Sequence, residues 1–156
     1  MSTAALRVRP IEPDDRDQWQ TLWDGYNAFY GRQGATALDE VITEQTWHRF
    51  FVESDPVKAF VAVLGQQLVG LVHIVYHPST SRLNDVCYLQ DLFTSEAVRG
   101  QGVGRHLIQR VYDEARAKGC SRVYWTTFDH NVTARRLYDQ VATHQGAIVY
   151  VHEMPS

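Results

Sequence analysis

One run constrains this chain more than any other: Tyr88-Leu-Gln-Asp-Leu-Phe-Thr-Ser-Glu-Ala-Val-Arg99-Gly-Gln-Gly-Val-Gly104-Arg-His-Leu. It reads as a strand, a short turn, and glycines that open a helix. Arg99, Gly102 and Gly104 have the spacing R-x-x-G-x-G. Glycines at that point leave backbone N–H groups exposed at a helix N-terminus with no Cβ in the way. Such a nest binds phosphate oxygens, because unpaired N–H groups and the helix dipole both favour negative charge. Arg99 adds a fixed cation. Other phosphate cradles fit worse. A Walker A loop ends in Gly-Lys-Ser/Thr, whereas Gly104 is followed by Arg105 and His106. A dinucleotide fingerprint needs a third glycine, but Arg105 and Leu107 stand three residues after Gly102 and Gly104.

The chain has 156 residues, which suits one domain over residues 1–156 with a real core. At 44% hydrophobic residues it is expected to be globular rather than disordered. Its net charge of −3 argues against a nucleic-acid partner, which would want a basic face. No apolar run approaches membrane-spanning length and no signal-peptide core opens the chain, so no membrane partner is expected. Cys87 and Cys120 make no disulfide framework, which points to a reduced, cytoplasmic setting. His73 and His77 flank a strand-like Ile74-Val75-Tyr76, so they read as core or solvent-side histidines and no metal is expected.

The expected element order is β-α-α-β-β-β-α-β-α-β. A first strand covers Leu6 to Ile11, and Pro13-Asp14-Asp15 opens a helix whose apolar face carries Trp19, Leu22, Trp23, Tyr26 and Tyr30. A second helix covers Asp39 to Val52. Ala59 to Leu64 and Leu68 to Tyr76 form a hairpin, and Val86 to Thr94 is the strand before the nest. The nest helix runs to about Lys118. Arg122 to Thr127 is a strand, Asn131 to about Ala142 a helix, and Ala147 to Glu153 a last strand. This order implies an α/β fold, a mixed sheet with helices on both faces.

Order and motifs together resemble the GNAT N-acetyltransferase superfamily over essentially the whole chain. Tyr88-Leu-Gln-Asp-Leu-Phe, Leu107-Ile-Gln-Arg-Val-Tyr-Asp-Glu-Ala, Val123-Tyr-Trp-Thr-Thr and Asn131-Val-Thr-Ala-Arg-Arg-Leu-Tyr138 are similar to the subgroup of histone, polyamine and D-amino-acid acetyltransferases. The resemblance implies a single-domain, mostly antiparallel sheet splayed between its central parallel strands, with acetyl-CoA in the gap. It implies pyrophosphate contacts from Arg99, Gly100, Gln101, Gly102, Val103 and Gly104. Pantetheine and acetyl contacts would come from Leu92, Phe93 and Thr94, with Asn131 also touching the cofactor. A backbone N–H near Phe93 would face the developing oxyanion. Leu92 and Phe93 equally suit plain sheet core, and Asn131 a plain helix cap.

The resemblance also implies that Tyr138 is the general acid. A leaving thiolate behaves like a thiol of pKa about 8.5, and a tyrosine near 10 can protonate it as the C–S bond breaks. An amine acceptor must itself lose protons before it attacks. Gln90 cannot act as a base; Asp91 can, but it also reads as an acid held by backbone or arginine at the sheet edge. Neighbouring strand residues face opposite sides, and a bulge would decide which one faces the cleft. Tyr26, Phe29, Tyr30 and Trp47 are candidate acceptor walls, with Tyr26 and Tyr30 foremost; Asp24, Asp39, Glu40 and Glu44 are candidate acids for a cationic acceptor. The implied activity is acetyl transfer to a primary amine: a polyamine, an amino acid or a lysine side chain. A non-catalytic acyl-CoA sensor is the alternative, and Tyr138 argues against it, because binding alone does not need that residue. GNAT domains commonly finish with two strands, so the single strand at Ala147 to Glu153 predicts a homodimer built on it.

Overall fold

A computed structural model describes residues 5–155. The chain divides into two compact units, Met1–Thr126 and Thr127–Ser156.

The first unit is built on a five-stranded sheet in sequence order. Its strands are β1 (Leu6–Pro10), β2 (Val57–Leu64), β3 (Gln67–His77), β4 (Val86–Thr94) and β5 (Val123–Tyr124). All neighbours are antiparallel except β4 and β5, which run parallel through Cys87–Val123 and Tyr88–Tyr124 alone. The helices α1 (Arg16–Phe29) and α2 (Glu40–Arg49) cover one face. The third helix, α3 (Val103–Ala117), buries Val103, Leu107, Ile108, Val111 and Ala115 on the other face. The α/β architecture with helices on both faces is therefore as expected.

The core on the α1 side is largely aromatic. Trp19 is fully buried, with ring centroids 5.9 Å from Trp23, 5.0 Å from Trp47 and 5.7 Å from Phe50. Each such pair contributes about 0.5–1.5 kcal/mol beyond its burial. Trp47 is thus core and not an acceptor wall. Two proposed acids are likewise occupied: Asp39 caps α2 through Val41 N–H at 2.9 Å, and Glu44 pairs with Arg16.

β4 carries an irregularity. His73 pairs with Asp91 but Ile74 pairs with Leu89, so Gln90 is an extra residue opposite no partner. Tyr88 pairs with Val75 on the α1 face, so plain alternation would send Gln90 and Leu92 to that face. The bulge shifts the alternation by one, and Asp91 and Phe93 face α1 instead. Gln90 is exposed and Asp91 buried.

The second unit holds α4 (Val132–Val141), preceded by a turn closed by Asn131 N–H to Phe128 C=O at 3.0 Å. Two expectations fail in the strands. The strand at Arg122 to Thr127 shrinks to Val123–Tyr124, because β4 offers partners only at Cys87 and Tyr88. The strand at Ala147 to Glu153, and with it the strand on which the dimer was built, does not form. Alternation and β-propensity mark residues fit for a strand, but a strand exists only by hydrogen bonding to a neighbour. Ile148, Val149, Tyr150 and Val151 are instead 67–88% exposed.

The entry into α1 rests on one acid. Asp15 accepts from both Arg9 η nitrogens, at 2.7 and 2.9 Å, and from Glu12 N–H at 2.8 Å. Burial pushes the Asp15 carboxyl up, but the Arg9 and Glu12 hydrogen bonds and the Arg9 charge outweigh it, leaving it below its ordinary range. It titrates lower in the folded chain than in the unfolded one. Its contribution is therefore complete above about pH 4 and is lost as pH falls through the folded value. D15N is expected to cost about 1–3 kcal/mol at neutral pH. Urea unfolding from pH 6 to pH 2 should show the gap between wild type and variant closing only at the acid end; a constant gap would assign Asp15 no role in acid stability.

Candidate active site

The site starts at the edge of β4 that faces β5. Pairing with β5 stops at Tyr88, so among the described residues the backbone beyond the bulge has no strand partner on that side. This leaves the edge of Asp91–Thr94 open for an extended ligand to add to the sheet.

The nest follows directly. A short 3-10 turn at Glu96–Val98 leads to Arg99, and Gly100 and Gly102 have φ of 80° and 81°. Both occupy the left-handed region that glycine enters without cost. Gly102 is the N-cap of α3, which begins at Val103. The N–H groups of Gly100, Gly102, Val103 and Gly104 have no backbone acceptor among the described residues. A Cβ at Gly100 would meet nothing within 4 Å, so the space over the loop is open. Arg99 is 47% exposed at its side chain, 3.6 Å from Glu96 and 5.8 Å above the Phe93 ring. Converging N–H groups, open space and an accessible guanidinium fit a diphosphate.

On the α1 face the bulge delivers Asp91 to a buried network. His73 Nδ1 donates to the Asp91 carboxylate at 2.8 Å, and the Trp19 indole N–H donates to His73 Nε2 at 3.1 Å. An indole N–H can only donate, so Nε2 accepts and the ring proton lies on Nδ1. Tyr26 reaches the same carboxylate. Burial first, then the charge and hydrogen bonding of Asp91, push the Tyr26 phenol far above its ordinary range. Burial and the Asp91 charge also raise Tyr30, while Arg32 pulls it down. Tyr26 and Tyr30 pack at 4.9 Å between centroids. Asp91 is therefore held by a histidine and faces a tyrosine, rather than by backbone or arginine. α1 lies close over β4 here: a Cβ on Gly25 would meet the Phe93 ring at 2.9 Å.

Two clefts flank α1. One of about 540 Å³ joins Phe93, Ser95 and Arg99 to Gly25, Ala28 and Phe29. The other, of about 870 Å³, lies between α1 and α2 and shares Gly25 and Ala28 with the first. Within the first unit, Asp91, Leu92, Phe93 and Thr94 are thus followed by Arg99 to Gly104, with Tyr26 on the facing helix and Tyr30 at its C-cap.

In the second unit, Asn131 stands at the start of α4 but its side chain makes no cap. Its amide donates to the Thr127 hydroxyl at 3.4 Å instead, which corrects the capping expectation. Tyr138 lies two turns along α4 and is half-buried.

Sequence reasoning missed Trp19 and His73 as partners of Asp91. Trp19 has the spacing of any core residue, and His73 stands eighteen residues before Asp91 on another strand.

The acetyltransferase (GNAT) family model matches residues 19–142. A D-amino-acid N-acetyltransferase of Saccharomyces cerevisiae is 33% identical over 146 residues, covering 92% of this chain and 88% of that one. A thialysine N-epsilon-acetyltransferase of Mus musculus is 36% identical over 69 residues, 44% of this chain and 39% of that one. Among solved structures, AAC(6')-Iy in complex with a CoA-S-monomethyl-acetylneamine bisubstrate analogue superposes with a TM-score of 0.79 at 14% identity, covering 97% of this chain and all 100% of that one. The chain belongs to the GNAT family and is an N-acetyltransferase.

Proposed function

We propose that residues 1–156 act as one catalytic domain that moves an acetyl group from acetyl-CoA to a primary amine by direct attack in a ternary complex. The observation that carries this reading is the nest: four N–H groups without a backbone acceptor, beside an open strand edge. The names of the relatives agree with it, since a D-amino acid and thialysine both offer a primary amine.

In this reading Gly100, Gln101, Gly102, Val103 and Gly104, with Arg99, hold the pyrophosphate of acetyl-CoA, whose thioester supplies the activated acyl group. Leu92, Phe93 and Thr94 pair with pantetheine through backbone, and the N–H near Phe93 receives the oxyanion charge. Asn131 adds a cofactor contact. The amine enters against Tyr26 and Tyr30 and passes a proton to Asp91 or, through it, to water. Its lone pair forms the C–N bond at the thioester carbon. The C–S bond breaks, the thiolate takes its proton from Tyr138, and the remaining extra proton on the new amide nitrogen passes through water to restore Tyr138. The reading needs neither a nucleic acid nor a membrane surface. Two thiols outside any disulfide, Cys87 buried with its pKa pushed up to about 12 by burial, suit a reducing cytoplasm.

Y138F is expected to lower kcat by on the order of 10²–10⁴-fold while leaving acetyl-CoA affinity nearly unchanged. Release of free CoA against a panel of amines measures it, with D91N run in parallel. An unchanged kcat with chemistry rate-limiting removes Tyr138 from the mechanism.

We also infer a homodimer in which two chains cover their exposed C-terminal apolar runs, Ile148 to Val151, by pairing them around a two-fold axis. Light scattering at micromolar concentration should give twice the monomer mass, and truncation after Gln145 should return it to one. A monomer mass for the full chain contradicts the inference.

A further inference from the structure

Arg32 is built into place yet has no carboxylate partner among the described residues. Its Nε donates to Asn27 Oδ1 at 2.7 Å, and its backbone N–H donates to Asn27 C=O at 2.8 Å. Asn27 is itself buried and fixed, its amide donating to Trp23 C=O at 2.9 Å. The guanidinium lies 5.7 Å from the Tyr26 ring centroid and 5.6 Å from that of Tyr30. Two rings, tilted at 53° to each other, and one short hydrogen bond hold the guanidinium in place. Its η nitrogens have no acceptor among the described residues, and Arg32 lines the cleft between α1 and α2.

Nearby arginines are spent differently: Arg9 on Asp15, Arg16 on Glu44, Arg49 on Asp55. The acids around Arg32 do not reach it. Asp24 accepts from Gln20 at 2.9 Å, Glu44 belongs to Arg16, and Glu40, which lines the same cleft from the first turn of α2, makes no ion pair with Arg32 among the described residues. A pre-oriented guanidinium with its two-pronged edge unspent matches a carboxylate in geometry and charge. The tyrosine pair it lies over is also the pair that feels the Asp91 charge. A fixed cation and a fixed anion thus act on one aromatic pair.

We propose that Arg32 binds a carboxylate of the acceptor, so that the acceptor is an amino acid, its carboxylate on Arg32 and its amine on the Asp91 side of Tyr26 and Tyr30. The inference rests on the acetyl-transfer reading and narrows it. A polyamine is disfavoured, because its second ammonium would meet the guanidinium with like charge.

The test compares leucine with leucinamide, in both hands, and spermidine as acceptors for wild type, R32Q and R32K. Wild type should favour the free acid over the amide by about 10- to 100-fold in kcat/KM. R32Q should erase that preference by raising KM for the acid, with kcat/KM for the amide changed less than about twofold. R32K should recover part of it, since an ammonium supplies charge without the fork. A wild type that takes amide or spermidine as well as acid, or an R32Q enzyme that keeps the preference, overturns the proposal. Calorimetric titration of leucine and leucinamide into each variant with CoA present gives a readout free of turnover. If no amine is acetylated, the transfer reading fails; acid-selective binding lost in R32Q then still upholds the Arg32 site, and its absence overturns it.

Discussion

One extra residue in β4 organises most of what lies around it. Gln90 has no partner on β3, and from that point the strand's two faces exchange. Asp91 and Phe93 turn towards α1, where His73, Trp19, Tyr26 and Gly25 receive them. Without the bulge, Gln90 and Leu92 would face the aromatic core, and a buried carboxylate would have no place there. The bulge also follows closely on the last pairing with β5, so the edge of the strand is left open where the polar network sits beneath it. Exposed edges are a liability in ordinary sheets. Here the open edge leads directly into the nest.

The two halves of the site rest on different physics. The nest works through backbone: positive φ at Gly100 and Gly102 turns N–H groups outward, and side chains are missing where a diphosphate needs room. The proposed acceptor side rests on packing. Trp19 is held by three other rings and aims its indole N–H at His73, which fixes the ring proton that Asp91 accepts. Asp91 is thus oriented by a chain that begins in the core. Arg32 is oriented in the same way, from buried Asn27 and the faces of two tyrosines. Neither group has to be ordered by a ligand, which lowers the entropy cost of binding.

Much of this was legible in the residues. The strand–nest–helix run was readable because local chemistry dictates it: β4 spans Val86–Thr94, and α3 begins at the residue after Gly102. The helix faces followed from periodicity, down to Trp19, Leu22, Trp23 and Tyr26 as buried positions. The Asp91 environment was not legible, because a bulge is set by pairing with β3 and its partners lie far apart in the chain. Trp47 and Asp39 read as candidate site residues yet serve the core and a helix cap. The terminal strand failed for a related reason: Ile148 to Val151 carries the propensity, while a strand needs a neighbour that propensity cannot name. Arg32 gave no signal, since an arginine after a helix end reads as solvated surface until its partners are known.

In the proposed cofactor site, backbone N–H groups make the larger part of the contact and Arg99 adds to it. Amide chemical shifts of 15N-labelled protein, titrated separately with CoA and with pantetheine, test it directly. CoA should move the N–H signals of Gly100, Gly102, Val103 and Gly104 together with those of Leu92 to Thr94. Pantetheine, which has no pyrophosphate, should move only the β4 set. Nest signals that stay still on saturation with CoA, or that shift equally with pantetheine, would contradict the account.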